Sequence, residues 1–324
     1  STRLSRNLFQ NMNFDFIAKR KIAYVVSSAI IIIGFVSIFI QGGLNLGVDF
    51  KGGRSYIIQF ENPVAASELK NTLAEAFNGE GTEVKTYGSD LKMKVTTSYL
   101  VEDESANGDK IVTTALNKGL TTFAPDNKHE ILSSSKVGAT VADDIKDSSW
   151  KSMIASLIGI FIYVLIRFKK WQFSLGSVVA LFHDTLIIVA IFAILRFFNI
   201  DFEIDQVIIA ALLTIIGFSI NDTVIVFDRV REFDGEFSKL DTKTMLNKSI
   251  NSTLSRTIMT TVTVLVTVLI LFIFGGETLR GFSFALLIGV VFGSYSTIFI
   301  AVPMVLDLRS RDDKEKDDKI LAGK

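Results

Sequence analysis

Six apolar runs punctuate the chain, at residues 22–40, 151–166, 173–195, 206–227, 257–274 and 281–306. Most reach the roughly 18 uncharged residues that one helix needs to cross a hydrocarbon core, although the second is somewhat short. Six membrane-spanning helices are therefore expected. The first run is too long for the core of a cleaved signal peptide and leads through Gln41, Gly42 and Gly43 straight into a patterned segment.

Between the first two runs lies the one long polar stretch, 42–150. Strand-like alternation occurs at 54–60, 82–87, 91–97 and 129–135. Helical spacing follows Pro63 (Leu69, Leu73, Ala76, Phe77) and recurs over about 105–120. The order β-α-β-β-α-β predicts a ferredoxin-like split βαβ domain. The expected organisation is an N-terminal segment 1–21, a first span 22–41, this α+β domain 42–150, and spans 2–6 over 151–308. An amphipathic segment, 229–250, should lie along the membrane, and a charged tail, 309–324, should be disordered.

Composition agrees with a membrane protein: 49% of residues are hydrophobic, with 27 Phe and 3 Pro. Zero Cys excludes disulfides, thiolate metal sites and cysteine nucleophiles. Lys and Arg cluster before the first span, after the second, between the fourth and fifth, and after the sixth, which all fall on one side. The positive-inside rule then makes both termini cytoplasmic and the 42–150 domain external. That domain holds 11 basic and 16 acidic residues, a balance unsuited to nucleic acid or anionic lipid. A chain starting at Ser1 without Met fits processing or an origin as one half of a longer polypeptide.

The candidate chemistry is an acid in apolar sequence. Asp222, in Ser219-Ile220-Asn221-Asp222-Thr223, lies roughly 9 Å inside the fourth span if Asp228 marks its end. An intramembrane carboxylate costs a few kcal/mol and normally marks an ion or substrate route. Arg256, in the fifth span, reaches a similar depth, roughly 10 Å. If the two meet, a proton on Asp222 can break or reshape the pair; a permanent structural ion pair, or an Arg256 that snorkels to the interface, fits the spacing equally. His183 and Asp184 in the third span form a second ionisable site, either an extension of a proton route or polar glue between helices. Ser219, Asn221, Thr223, Thr214 and the threonines of the fifth span could line a wet path or bond their own backbones. Gly289 and Gly293 in the sixth span form a small-xxx-small packing face. Gly47-Val48-Asp49-Phe50-Lys51-Gly52-Gly53 lacks the features of a phosphate loop and is expected to be a structural turn or bulge between the first span and the first strand.

In this order, the Gly47–Gly53 motif, Val137-Gly138, His183-Asp184, the run from Leu213 to Thr223 continuing to Asp228-Arg229, Ser255-Arg256-Thr257 and Phe274-Gly275-Gly276 resemble the SecF branch of the SecD/SecF family. That family sits in the RND superfamily of proton-driven transporters, and the resemblance covers nearly the whole chain. It implies a partner SecD, separate or fused upstream, an accessory role at the SecYEG translocon, and an unfolded preprotein as cargo. It further implies a bacterial inner membrane location, protons as the coupling ion with no other cofactor, no enzymatic reaction, and Asp222 and Arg256 as the proton-coupling residues. Phe218 and Ala139 depart from the Tyr and Pro often found there; neither touches the charged pair. A small-molecule or lipid exporter of the same superfamily and a passive translocon scaffold are the alternatives.

Overall fold

The computed structural model describes residues 14–103, 105–236, 240–309, 318 and 320. Its helices are α1 (Phe16–Ile40), α2 (Val48–Lys51), α3 (Ala66–Ala76), α4 (Ala106–Phe123) and α5 (Ala139–Phe168). They continue with α6 (Trp171–Leu195), α7 (Gln206–Glu236), α8 (Thr242–Phe274) and α9 (Gly276–Ser296). A π-helical turn, Thr297–Ala301, joins α9 to α10 (Val302–Asp307). Six helical stretches are long and apolar enough to span: α1, α5, α6, α7, α8, and α9 through α10. The protein is a multi-pass membrane protein.

The strands β1 (Gly53–Phe60), β2 (Thr82–Tyr87), β3 (Ser89–Thr97) and β4 (His129–Val137) form an antiparallel sheet in the order β2-β3-β1-β4. With α3 and α4 this is the split βαβ arrangement expected from the pattern. The helices cover one face, burying Ile58, Phe60, Leu69, Leu73, Phe77, Met93, Val95, Val112, Leu116 and Leu120. Leu116 is fully buried there, so Leu116→Ala is expected to lower the stability of this domain by about 2–5 kcal/mol. Limited proteolysis of the sheet domain checks this, as faster cleavage than in wild type with the helix bundle left intact.

Helix ends differ from the sequence expectation in three places. The first span begins at Phe16 rather than 22, because Asp15 caps the helix by accepting from the Ala18 amide (2.9 Å). The second starts at Ala139, so the boundary placed at 150 falls inside one continuous helix, with Asp143 and Asp144 in its opening turns. The segment 229–250 is not a separate element along the membrane: it is the end of α7, a break, and the start of α8, capped by Asp241. Its apolar residues, Val230, Met245, Leu246 and Ile250, are buried against Phe168, Phe173 and Leu306, so the stripe packs on protein rather than lipid. The tail expected to be disordered lies outside the described residues except at 309, 318 and 320, as do 1–13 of the N-terminal segment.

Close crossings hold the bundle together. A Cβ on Gly34 of α1 would overlap Ala190 of α6, and one on Gly289 of α9 would overlap Ile215 of α7. Close approach at small residues, backbone to backbone at Gly34 and backbone to side chain at Gly289, is the usual source of helix association where no hydrophobic force acts between spans. The sheet domain meets the bundle at the α6–α7 connection and at the start of α9, where Tyr87 Oη lies 2.7 Å from Thr278 Oγ1.

Candidate functional site

Helices α6, α7 and α9 meet at a buried carboxylate, Asp184, which is 1% exposed. His183 Nδ1 is 3.0 Å from its Oδ1, while Ser219 of α7 and Ser296 of α9 each donate to Oδ2 at 2.8 Å. Three helices thus converge on one acid. His183 is itself 7% exposed, and its Nε2 has no hydrogen-bond partner among the described residues. Its ring lies 6.0 Å from that of Tyr295, whose hydroxyl donates to the Ala23 carbonyl of α1 at 3.0 Å.

Asp222 lies about one turn further along α7 from Ser219, and is also 1% exposed. Ser294 Oγ donates to its Oδ2 at 3.2 Å and sits 2.5 Å from Thr261 Oγ1 of α8. Thr223 and Thr297 add a further hydroxyl pair at 2.8 Å between α7 and the last span. Ser294 and Ser296 therefore reach the two acids from different sides of the last turn of α9, immediately before the π-helical turn at Thr297–Ala301. Such turns interrupt a regular helix and occur often at functional sites. The site is a polar seam through apolar helices, with two carboxylates that each accept from serines of their own: Asp222 from Ser294, and Asp184 from Ser219 and Ser296.

Of the residues singled out by sequence, Asp184, His183, Ser219, Thr223 and Asp222 come together in this seam. Arg256 does not. It is exposed on α8, and among the described residues no ion pair joins it to Asp222. Asn221 is exposed, turned away from Asp222. Thr214, Thr260, Thr263 and Thr267 bond backbone carbonyls of their own helices. Ser294, Ser296 and Thr297 went unrecognised in the sequence, although five consecutive small or hydroxyl-bearing residues from Gly293 to Thr297 marked a polar break in an apolar span. Gly293 does serve packing: a Cβ there would stand 3.1 Å from Ser219 Cβ.

Outside the bundle, the uncovered face of the sheet closes on the α6–α7 connection. Lys94 Nζ is 2.5 Å from Glu203 Oε2, and Lys85 Nζ is 2.8 Å from Asp201 Oδ2. Burial works against the Lys85 ammonium, but Asp201, Glu83 and Glu203 outweigh it and hold its pKa above the usual lysine value. The stabilisation is therefore complete below the ordinary lysine pKa and is lost only as pH rises through the raised value. Accordingly, the Lys85–Asp201 pair should persist across the neutral range and loosen only in strong alkali, which the distance between spin labels on the sheet domain and on the α6–α7 connection checks. Among the described residues, no three His, Cys, Asp or Glu side chains converge as a metal site.

Six spans, one split βαβ domain after the first, and acids buried in the bundle define an RND-type membrane half. Residues 115–311 match the family model for the C-terminal part of the SecD/SecF protein export membrane proteins, and 36–64 match the SecD/SecF GG motif. A protein translocase subunit SecF from Rhodothermus marinus is 45% identical over 94% of this chain and 96% of its own length. Another from Thermodesulfovibrio yellowstonii is 38% identical over 91% and 94%. The chain belongs to the SecF subunits of the SecD/SecF family. Among solved structures it is similar to SecDF, a translocon-associated membrane protein from Thermus thermophilus, with a TM-score of 0.79 and 29% identity. That match covers 92% of this chain, which spans 39% of the SecDF chain. A SecDF structure in a super-membrane-facing form matches with a TM-score of 0.64 and 28% identity.

Proposed function

We propose that this chain works with SecD as a proton-motive-force-driven accessory of the SecYEG translocon, promoting preprotein export on the periplasmic side. It resides in the bacterial inner membrane with both termini cytoplasmic and the sheet domain in the periplasm. The observation that carries this reading is Asp222, a carboxylate buried within a span whose only hydrogen-bond partner among the described residues is one serine hydroxyl. A structural acid at that depth would be expected to hold a cation; this one has room to accept and lose a proton.

Arg256 fits as the second member of the device. Its guanidinium stays charged at any relevant pH, so Asp222 alone can switch. In the present arrangement Arg256 is exposed on α8, one of the least covered helices of the bundle. That surface suits a SecD partner, and the approach of Arg256 to an ionised Asp222 is the step that protonation would reverse. Asp184, with His183, Ser219 and Ser296, serves as a secondary proton site linked to Asp222 through α7 and α9.

A small-molecule or lipid exporter would need an apolar route. The cavity of about 650 Å³ beneath the sheet is of mixed lining, with Asp49, Lys85, Lys94, Glu203 and Ser135 beside Val48, Ile57, Phe202 and Phe282, and so is no continuous apolar route. A passive scaffold is separated by experiment. Asp222→Asn and Arg256→Met should each stop proton-dependent export in inverted membrane vesicles while the variant still copurifies with SecD. Normal export in both variants would contradict the coupling role, and loss of SecD from the complex would favour the scaffold.

A further inference from the structure

The segment from Gly47 to Gly53 takes no part in the proton step, yet it is held at both ends. Asp49 Oδ2 accepts from the backbone amide of Gln206, the first residue of α7, at 3.0 Å. The Gly47 amide donates to the Ile204 carbonyl at 2.9 Å, and the Ile204 amide donates to the Asn45 carbonyl at 2.7 Å. A Cβ at Gly47 would stand only 3.2 Å from Asp205 Cβ, so this close approach needs glycine. At the other end, Gly53 is the first residue of β1 with φ 124°, and a Cβ there would overlap the Thr97 carbonyl of β3. Gly52, with φ 72°, lies 3.4 Å by the same measure from Ala139, the first residue of α5.

One short segment therefore ties the sheet to the end of α7. The ion pairs of Lys94 with Glu203 and Lys85 with Asp201 fasten the same two parts from the sheet's uncovered face. Helix α7 is continuous over 31 residues, and Asp222 lies roughly 24 Å along it from Gln206. A helix without a break transmits displacement, whereas a flexible loop at its end would dissipate it. Asp205 also caps α7, but from the adjoining residue, through the Ile208 amide at 2.9 Å. Asp49 is the cap that comes from the sheet side.

We propose that Asp49 and the glycines around it are the transmission of this protein, making the sheet domain and the outer end of α7 move as one body. Movement of α7 driven at Asp222 is thereby delivered to the sheet domain. The inference rests on the proton-coupling reading, and Asp49 is a positioning residue that touches neither proton nor cargo. Asp49→Ala removes the acceptor, whereas Asp49→Asn keeps a carbonyl oxygen able to accept from Gln206.

The test uses proteoliposomes holding this chain with SecD, with proton flux followed by a pH-sensitive dye in the presence and absence of an unfolded preprotein. Asp49→Ala should keep a flux that still depends on Asp222, but lose preprotein stimulation by about fivefold or more, the lower end of site-to-site coupling. Asp49→Asn should restore most of it. Because this chain has no cysteine, Lys94→Cys with Glu203→Cys introduces its only thiols. Joining that pair with a bifunctional thiol reagent, which spans the gap that two long side chains fill and a direct disulfide would not, should leave stimulation near wild type, since the joined parts move together. Undiminished stimulation in Asp49→Ala, or its abolition by the crosslink, would overturn the transmission. Should Asp49→Ala fail to assemble, the crosslinked chain decides alone. Flux that persists in Asp222→Asn would instead defeat the underlying proton reading, a separate outcome.

Discussion

Asp222→Asn is expected to remove proton-driven export altogether while leaving a folded, membrane-inserted protein. The amide nearly matches the carboxyl in volume and can still accept from Ser294, so the packing of α7 against α9 should survive. What disappears is the ability to alternate between charged and neutral forms. One charge crossing 100 mV releases about 2.3 kcal/mol, which biases a conformational equilibrium by about 50-fold. Without a titrating group at this depth that bias cannot be drawn from the proton gradient, and export should fall to the level seen with the gradient collapsed. Because an amide cannot lose its proton near neutral pH, the deficit should be the same at every pH tested. Comparison of export rates with and without an uncoupler, for wild type and variant, checks both points.

Gly289→Val should be the most damaging single change to the bundle. Even a methyl group at 289 would overlap the Cδ1 and Cγ1 atoms of Ile215, with Cγ2 at 2.8 Å. Overpacking of a rigid core costs about 1–3 kcal/mol and occasionally more. Here the added methyls meet the branched Ile215 side chain at its Cγ atoms as well as its tip, so α7 and α9 are pushed apart. Separation would also stretch the bonds from Ser294 to Asp222 and from Ser219 and Ser296 to Asp184, whose donors and acceptors lie on these helices. Lower thermal stability in detergent together with loss of proton-dependent export is the expected result. Ile215→Ala should recover much of both, because it vacates the space the new side chain needs; neighbouring residues of this kind are non-additive. A double variant no better than Gly289→Val would show that the damage lies elsewhere.

Much of the sheet domain was legible from alternation alone. Strand β2 falls at the expected 82–87, and β1, β3 and β4 differ by one or two residues at an end; the alternation is clearest in β3, where Met93, Val95 and Thr97 are buried between half-buried neighbours. Helix ends in the bundle were less legible. Lipid and protein are equally apolar neighbours, so the stripe from Val230 to Ile250 did not reveal that its cover was Phe168 and Leu306. Charge depth along the sequence marked Asp222 and Asp184 correctly as buried. It could not show that Arg256 turns outward, because depth fixes height in the membrane and leaves the azimuth around the helix open. The serines of α9 were hidden for a related reason: small residues read first as packing, and only the fold puts Ser294 and Ser296 against two carboxylates.

The family match sets the chain among SecF subunits, and the geometry adds a connected path from an acid in the bundle to a domain outside it. The path runs from the serine-bonded acids along α7 to Gln206, and from there through Asp49 into the sheet. Each contact on it is short, specific and open to substitution.

The most direct test of Asp222 as the coupling residue is proton flux through proteoliposomes containing the chain and SecD, with an unfolded preprotein present. Wild type should show flux that the preprotein stimulates, and Asp222→Asn should show none above empty vesicles. Preprotein-stimulated flux of equal size in the variant would contradict the account.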